Sequence, residues 1–566
     1  MAMTLPTRVI LAAALLAAAW FTGIGQRDLF QTDEGRYAEI PREMVVSGDW
    51  VTPRLDGLKY FEKPPLQYWA TAVVYEAFGA SNATSRLWTA LTGFLCLLMT
   101  GYAGTRLFGG RSAWFGVLTL VGSVYFTIMG HFNTLDMGVT FFMCGSLFGF
   151  LLAMEAASLR ARRAWMYAAW VMAALATLSK GLEAVVLPGA VFLLYVGIKR
   201  DWVRFRQLHF VGGLLIYLVI AAPWFLLVSL RNPEFVQFFF IHEHFQRFLT
   251  KIAHRYEPWW FFIPILLFGL WCFLPQFLRA LVRFVNHELV LRYLRRNAAA
   301  IVDGDAETVP VEGRFDHGLF LWLWCGFIFL FFSLSDSKLG SYILPIFPAL
   351  ALLVGRELAR LKRGDAMLSA LCCIVLAIAA LWQAPELQRH GGRVPVELYQ
   401  AFLPWLMAGC GALLLLGIAG FLLAYFDKVA TSLVVLGAGM FLATQTVSAG
   451  AQVLSPIYSQ HSLALAIAPY DKPGQPFYSL NDYPQSLPFY LGRTMTIVAY
   501  QGELEFGIGR EPRKWIPELD TFAAQWRSDP AAIAVMPPET YDKLAAEGLP
   551  MIVIGREPDH VAVRKP

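Results

Sequence analysis

The sequence predicts a polytopic α-helical membrane protein that ends in a small α/β domain. Of its 566 residues, 57% are hydrophobic and only 15% are charged, whereas soluble domains usually carry about 25% charged residues. A chain this apolar must bury much of its surface in lipid. Arginine and lysine lie in short loops between apolar runs rather than on one face of a soluble domain, which argues against a nucleic-acid partner.

Thirteen apolar runs are candidates for membrane spans, since a spanning helix needs roughly 20 mostly apolar residues. The runs are 8–25, 86–105, 113–129, 136–157, 164–179, 183–198, 209–229, 259–282, 318–333, 341–357, 367–382, 402–425 and 430–449. They place a membrane domain at residues 1–450.

One set of alternate loops is rich in basic residues, for example Arg160, Arg162 and Arg163. The positive-inside rule puts that set in the cytoplasm and residues 26–85 outside. Counting the apolar run 65–79 as a span would break this alternation. It is therefore predicted to be an interfacial helix, with Tyr68, Trp69 and Tyr75 at the membrane surface.

Residues 451–566 differ in character from the membrane domain. Short strand-like runs occur at Pro476–Leu480, Thr494–Tyr500, Ala531–Met536, Met551–Ile554 and His560–Val563. Helical stretches lie near Ile516–Trp526 and Glu539–Glu547, and proline and glycine separate these elements. This pattern predicts a small soluble α/β domain, which thirteen spans would place outside.

Ionisable groups at the ends of spans are candidates for function because they are costly near lipid. The first outer loop contains Asp33, Glu34 and Arg36. The alternative for Asp33 is that it, or Thr32, caps the helix that follows. Tyr60, Glu62 and Lys63 precede two prolines that fix an extended chain; the alternative for Glu62 and Lys63 is a surface ion pair of little consequence.

Three further candidates lie at predicted span ends on the same side. Asp136 stands at a span mouth, with helix capping as its alternative. Lys180 lies in a short turn, where it could bind phosphate or snorkel to the interface. Lys338 and Tyr342 belong to a segment that could face a phosphate or form an ordinary polar hairpin.

The sequence indicates no cofactor with certainty, and a divalent metal ion is the one candidate. Its potential ligands are Glu62, His242 and His244. Histidines at i and i+2 do not share a helix face, so a solvated or interfacial helix is the alternative for this segment.

Several of these segments together carry a family resemblance. They are Asp33–Tyr37, Gly48–Trp50 with Pro53, Phe61–Trp69, Asp136 and the hairpin from Lys338 to Pro345. Residues 1–450 resemble the C-type glycosyltransferases of the protein O-mannosyltransferase superfamily, and most closely the bacterial lipid A aminoarabinose transferases. The chain lacks the long inserted domain of the eukaryotic members near residue 300.

The resemblance implies transfer of 4-amino-4-deoxy-L-arabinose from undecaprenyl phosphate to a lipid A phosphate at the periplasmic face of the inner membrane. It also implies resistance to polymyxin. The expected catalytic residues are Asp33, Glu62 and Asp136. The expected substrate-binding residues are Glu34, Arg36, Tyr60, Lys63, Lys180, Lys338 and Tyr342. We expect a C-type glycosyltransferase fold with periplasmic interfacial helices, in a monomer surrounded by membrane lipids.

Two other function classes remain open from the residues. A different transferase that uses a polyprenyl-phosphate sugar could act on protein hydroxyls, in which case Asp33 would be a general base. A lipid-linked sugar transporter is the rival from another class, although transporters often show internal repeats and midplane sites, and neither is evident here.

Overall fold

The computed structural model describes residues 5–246, 256–286, 315–360, 362–386 and 394–566. The membrane part is helical. Its long helices are α1 (Leu5–Phe21), α4 (Asn82–Phe108), α5 (Gly110–Val121), α7 (Asp136–Glu155), α8 (Leu159–Lys180), α9 (Glu183–Lys199), α11 (Phe210–Arg231), α14 (His317–Leu334), α15 (Phe347–Leu358), α16 (Arg363–Gln383), α17 (Val396–Tyr425) and α18 (Val429–Gly450). Shorter helices are α2 (Asp33–Ser47), α3 (Leu66–Phe78), α6 (Val124–Met129), α10 (Arg204–Gln207), α12 (Phe262–Gly269) and α13 (Leu274–Arg283).

Eight helices in the described part of the chain are long and apolar enough to cross a membrane, and nine if the bent pair α12–α13 is one span. All thirteen predicted runs contain helix. However, α1 and α9 have 17 residues each, and Gly122 separates α5 from α6. The polytopic helical fold is therefore confirmed, while the number of thirteen spans stays a prediction.

Small residues allow close helix packing in the membrane part, as is common in bilayers. A Cβ on Gly355 of α15 would lie 2.5 Å from the carbonyl oxygen of Ser112 and 2.6 Å from the amide of Gly116. Both partners belong to α5, so the backbones of α5 and α15 nearly touch.

The predicted interfacial segment is indeed a helix, α3, but two of its aromatic residues point inward. Tyr68 is 0% exposed and Tyr75 is 5% exposed. The Tyr75 hydroxyl lies 2.6 Å from the Ser85 hydroxyl. The expectation that both tyrosines lie at the lipid–water boundary is therefore wrong, because α3 is covered by protein on that face.

The C-terminal segment forms the predicted α/β domain around a six-stranded sheet. The strands are β3 (Phe477–Leu480), β4 (Thr496–Val498), β5 (Trp515–Ile516), β6 (Ile533–Met536), β7 (Ile552–Arg556) and β8 (Val561–Arg564), after the short hairpin β1 (Arg54–Leu55) and β2 (Leu58–Lys59). Their order is β5-β4-β3-β6-β8-β7. The first four strands are parallel, and β8 and β7 are antiparallel.

Six helices complete the C-terminal region, and β5 replaces the start of a predicted one. They are α19 (Ser455–Tyr458), α20 (His461–Ile467), α21 (Leu487–Leu491), α22 (Glu505–Arg510), α23 (Leu519–Ser528) and α24 (Pro538–Ala546). Five strands were predicted; the helix predicted near Ile516–Trp526 begins later, at Leu519. The domain boundary at residue 450 stays a prediction.

Helix α2 lies between the membrane part and the C-terminal domain. A Cβ on Gly35 would lie 2.7 Å from the amide nitrogen of Ser486. Just before α2, the amide of Gln31 donates to the carbonyl of Tyr458 at 2.6 Å, and the amide of Leu29 donates to the Tyr490 hydroxyl at 2.7 Å. The C-terminal domain therefore packs directly against the loop before α2 and the start of that helix.

We expect Gly35→Ala to weaken the packing of α2 against the C-terminal domain. The added methyl meets backbone, which cannot rotate away, so the free energy of unfolding should fall by about 1–3 kcal/mol. Limited proteolysis should then cut the C-terminal domain faster. Gly411→Ala is the matched control, because nothing lies within 4 Å of that Cβ and alanine favours a helix. Equal proteolysis of the two variants would contradict the close approach.

Candidate active site

Glu34 is the centre of a buried ion-pair network. Its carboxylate accepts from Nε of Arg86 at 2.7 Å and from Nη2 at 3.0 Å, and it lies 2.7 Å from Nη1 of Arg27. The amides of Phe30 and Asn133 each donate to it at 3.0 Å. Burial alone would raise the pKa of Glu34, but the two arginines outweigh that effect and lower it to about 2. Glu34 is 0% exposed, which argues against its predicted contact with substrate.

Arg36 is held by groups from three parts of the chain. It forms an ion pair with Asp33 in its own helix and another with Glu503 of the C-terminal domain. It also donates to the Tyr60 hydroxyl at 3.0 Å. Burial would lower the pKa of Arg36, but Tyr60, Glu503 and Asp33 raise it, so it stays charged.

Asp33 differs from its neighbour Glu34 because its side chain is 39% exposed. The carboxylate is paired with Arg36, and the capping alternative is not supported, since Thr32 at the N-cap makes no side-chain capping bond in the described structure. A half-exposed carboxylate beside a buried guanidinium can reach a substrate while its charge stays compensated.

Glu62 and Tyr68 lie within electrostatic reach of this group, and Lys63 follows Glu62 in the chain. Lys63 Nζ is 3.7 Å from the carboxylate of Glu243. Burial raises the pKa of the Tyr68 phenol; the charge of Arg36 opposes this, and those of Glu62 and Asp33 add to it. The Tyr68 hydroxyl has no hydrogen-bond partner among the described residues. It is a buried donor on which the charges of Asp33 and Glu62 act.

A second cluster forms around Lys180 at the ends of α7 and α8. Lys180 Nζ donates to Asp136 Oδ1 at 2.6 Å and lies 3.5 Å from Glu183. The ammonium also lies 4.8 Å from the centre of the Tyr342 ring. Asp136 begins α7 without capping it, and the Lys180 side chain is only 12% exposed and pairs with Asp136 rather than snorkelling. All four line a narrow cleft with Ser341.

The two clusters flank one short segment. Asn133, which binds Glu34, is three residues before Asp136. Between them, Leu135 packs in the same apolar cluster as Tyr60 and Tyr68. Asp33, Glu62 and Asp136 therefore lie at one end of the helix bundle, as the charge pattern predicted.

Lys338 does not join either cluster. Its side chain is buried and donates to the backbone carbonyls of Glu257 at 2.8 Å and Ser335 at 2.5 Å. A buried lysine that donates to two backbone carbonyls, and to no carboxylate, holds a loop in place. The contacts argue against the predicted phosphate contact of Lys338.

The described residues contain no group of three or more His, Cys, Asp or Glu side chains that could hold a metal ion. His242 lies 3.4 Å from Glu243, whose carboxylate is beside Lys63. The side chain of His244 is outside the described residues. Metal binding by Glu62, His242 and His244 stays a prediction.

Sequence reasoning missed four residues of the site. Arg27, Arg86 and Asn133 surround Glu34, and Glu503 reaches Arg36 across more than 460 residues of chain. A signal existed for Arg86, since a charge inside a predicted span needs a partner. Glu503 gave none.

Comparisons with known proteins show the family of this chain. Residues 463–565 match the family described as aminoarabinose transferase C-terminal domain, and residues 62–226 match dolichyl-phosphate-mannose-protein mannosyltransferase. A relative from Proteus mirabilis, named undecaprenyl phosphate-alpha-4-amino-4-deoxy-L-arabinose arabinosyl transferase 1, is 31% identical over 433 residues, which cover 73% of each chain. The chain belongs to the aminoarabinose transferase family.

Further relatives of the same name cover more of the chain. One from Shewanella sediminis is 25% identical over 518 residues, 87% of this chain and 86% of its own. The crystal structure of ArnT from Cupriavidus metallidurans bound to undecaprenyl phosphate superposes with a TM-score of 0.90 at 35% identity, covering 99% of this chain and 98% of that one. The apo state of the same protein gives 0.88 at 36% identity. The predicted C-type fold and the prediction of a glycosyltransferase are confirmed.

We expect Glu34→Gln to destabilise the protein, because it leaves two buried arginines without their shared carboxylate. The free energy of unfolding should fall by about 3–5 kcal/mol, measured by thermal or denaturant unfolding in detergent. Since the folded-state pKa is depressed to about 2, this stabilisation is complete above about pH 4.5 and lost as the pH falls through 2. The variant should therefore lack that part of the acid transition. Asp33→Asn is the control and should lower stability much less, because Asp33 is 39% exposed and Arg36 keeps Glu503 and Tyr60 as partners; an equal loss in both variants would contradict the proposed network.

Glu503→Gln tests the contact between the C-terminal domain and Arg36. Losing the carboxylate removes one of the groups that orient Arg36, so kcat should fall at least about tenfold while the thermal unfolding temperature stays unchanged. Glu505→Gln, on an exposed neighbour, should leave kcat intact. A loss of kcat that follows unfolding would instead mean that Glu503 only holds the domains together.

Proposed function

We propose that this transferase moves 4-amino-4-deoxy-L-arabinose from undecaprenyl phosphate to a lipid A phosphate at the periplasmic face of the inner membrane. The observation that carries the proposal is the meeting of the Asp33–Arg36 and Asp136–Lys180 pairs at one end of the bundle. The names of the relatives and the undecaprenyl phosphate bound by the ArnT neighbour support the donor. The lipid A acceptor rests on the family alone.

The reaction exchanges one glycosyl phosphate bond for another. The bond between the sugar C1 and the donor phosphate oxygen breaks, and undecaprenyl phosphate leaves. An oxygen of the acceptor phosphate forms the new bond to C1. The acceptor is already anionic at pH 7, so the site needs little general-base catalysis.

Cations make the main contribution to catalysis in this scheme. Negative charge develops on the departing phosphate, and preorganised cations stabilise it most effectively in a water-poor site. We assign this role to Arg36, which pairs with Asp33, to Lys180, which pairs with Asp136, and to Lys63, which lies beside Glu243. Tyr60 fixes Arg36 by a hydrogen bond. Tyr342 fixes Lys180 by contact between its ring and the ammonium.

Asp33 orients the acceptor or holds the sugar ammonium. Its exposure and its pairing with Arg36 suit a carboxylate that meets a cationic group of the substrate. Glu62 and Asp136 complete the carboxylate set. Bringing two lipid-borne substrates together in one site also lowers the barrier by several kcal/mol.

The proposal needs no metal ion, and no step is assigned to one. We propose further that the protein acts as a monomer, and that modification of lipid A lowers the negative charge of the outer membrane and confers polymyxin resistance.

The test is Asp33→Asn in cells that lack other copies of the activity. Mass spectrometry of lipid A should show the aminoarabinose adduct with the unchanged protein and a loss of about 100-fold or more with the variant, since a charged group that contacts substrate is removed. Asp336→Asn, an exposed carboxylate at the same end, should leave the adduct intact. Full modification with Asp33→Asn would overturn the assignment.

A further inference from the structure

A second cavity lies beside Arg27 and Arg86, the two arginines that hold Glu34. Its volume is about 430 Å³, and it lies between the end of α1, the end of α6, α17 and α18. Arg27, His131 and Gln445 supply its polar wall, and Ile128 and Trp405 its apolar wall. It shares no lining residue with the cleft at Lys180.

Arg27 faces this cavity with unused donors. One terminal nitrogen of its guanidinium pairs with Glu34, and the group lies 4.3 Å and 5.0 Å from the ring centres of Phe30 and Phe132. Among the described residues, its Nε and its other terminal nitrogen have no hydrogen-bond partner. The rings fix the plane of the guanidinium, so these donors are preorganised for an oxyanion.

The charge at the cavity floor is positive. Glu34 carries one negative charge against Arg27 and Arg86. Arg86 donates to Glu34 and to the backbone carbonyls of Ile24, Arg27 and Asp28. Asp28 does not line the cavity, and its carboxylate is bonded to Ser455, Gln452 and His461. A single anion would therefore complete the charge balance.

The walls fit a lipid rather than a soluble anion. Ile128 is 41% exposed and Trp405 is 44% exposed, and both stand on helices of the membrane part, where exposed apolar groups meet acyl chains. Neutral donors ring the opening at Gln26, Thr446 and Ser448. A volume of about 430 Å³ holds a headgroup phosphate and its first methylenes.

We propose that this cavity binds the phosphate headgroup of one anionic phospholipid of the surrounding bilayer, at a site separate from the reaction centre. The phosphate accepts from the free nitrogens of Arg27, and the proximal chains lie along Ile128 and Trp405. Since Arg27 also holds Glu34, the bound lipid stabilises the network that places Asp33 and Arg36.

The test is native mass spectrometry of the purified full chain titrated with phosphatidylglycerol. Ser448→Glu places a carboxylate in the cavity without touching Glu34, and Arg27→Gln removes the donors while Arg86 still holds Glu34. Each should weaken phosphatidylglycerol binding at least about tenfold. Val46→Glu adds the same charge at a site 74% exposed on α2 and should change nothing.

Two ligand controls separate the chemistry. Dioleoylglycerol lacks the phosphate and inorganic phosphate lacks the chains, so neither should bind at the concentration that saturates with phosphatidylglycerol. Equal binding of inorganic phosphate would overturn the lipid assignment. Wild-type affinity in both Ser448→Glu and Arg27→Gln would overturn the site.

A last variant distinguishes this cavity from the reaction centre. If Lys63→Ala abolishes phosphatidylglycerol binding and Ser448→Glu does not, the lipid occupies the reaction centre and the proposal fails. The measurement follows lipid binding and requires no sugar transfer, so its result is independent of the proposed reaction.

Discussion

The buried carboxylate of Glu34 is the interaction on which the rest of the site depends. It joins the end of α1 through Arg27, α4 through Arg86 and the loop before α7 through Asn133. A buried ion pair is a poor source of net stability compared with apolar packing, but breaking it by removing one partner is costly. Its contribution here is therefore geometric: it ties three chain segments together and holds the helix of Asp33 against the segment that leads to Asp136.

The site separates charges that hold the structure from charges that face substrate. Glu34, Arg86 and Lys338 satisfy nearly all their donors or acceptors within the protein. Asp33 is half exposed, and Lys180 shares its charge with a neighbouring aromatic ring. The first group is already desolvated in the folded protein. In the second group, Lys180 is a cation in a fixed position, as an anionic lipid phosphate requires, and Asp33 is a carboxylate that can meet a cationic group of the substrate.

Much of the fold was predictable from sequence because its signals are local. Each apolar run contains helix in the described part of the chain, and short β-rich runs predicted five of the six C-terminal strands. The exception is β5, because its two residues, Trp515 and Ile516, carry no periodicity. The site was predictable only as a set of candidates. Asp33 and Glu34 are adjacent acids in one loop, and nothing in their order tells which is buried. That depends on Arg86 and Asn133, which lie 52 and 99 residues away from Glu34. The sequence predicts an interfacial Tyr68 because periodicity and composition do not show which face of α3 is covered by another part of the chain.

The C-terminal domain belongs to the site rather than being attached beside it. Glu503 follows β4, at the carboxyl edge of the parallel strands, where α/β sheets place their functional loops, and it reaches Arg36 there. Burial raises the pKa of Tyr500, in the same loop, to about 12. The charges of Asp482 and Glu503 add to this rise, and that of Arg36 opposes it. The membrane part supplies Asp33 and Tyr60 as partners of Arg36, and the C-terminal domain supplies the remaining carboxylate. A buried guanidinium needs all of its charge compensated, so the orientation of Arg36 requires both parts of the chain.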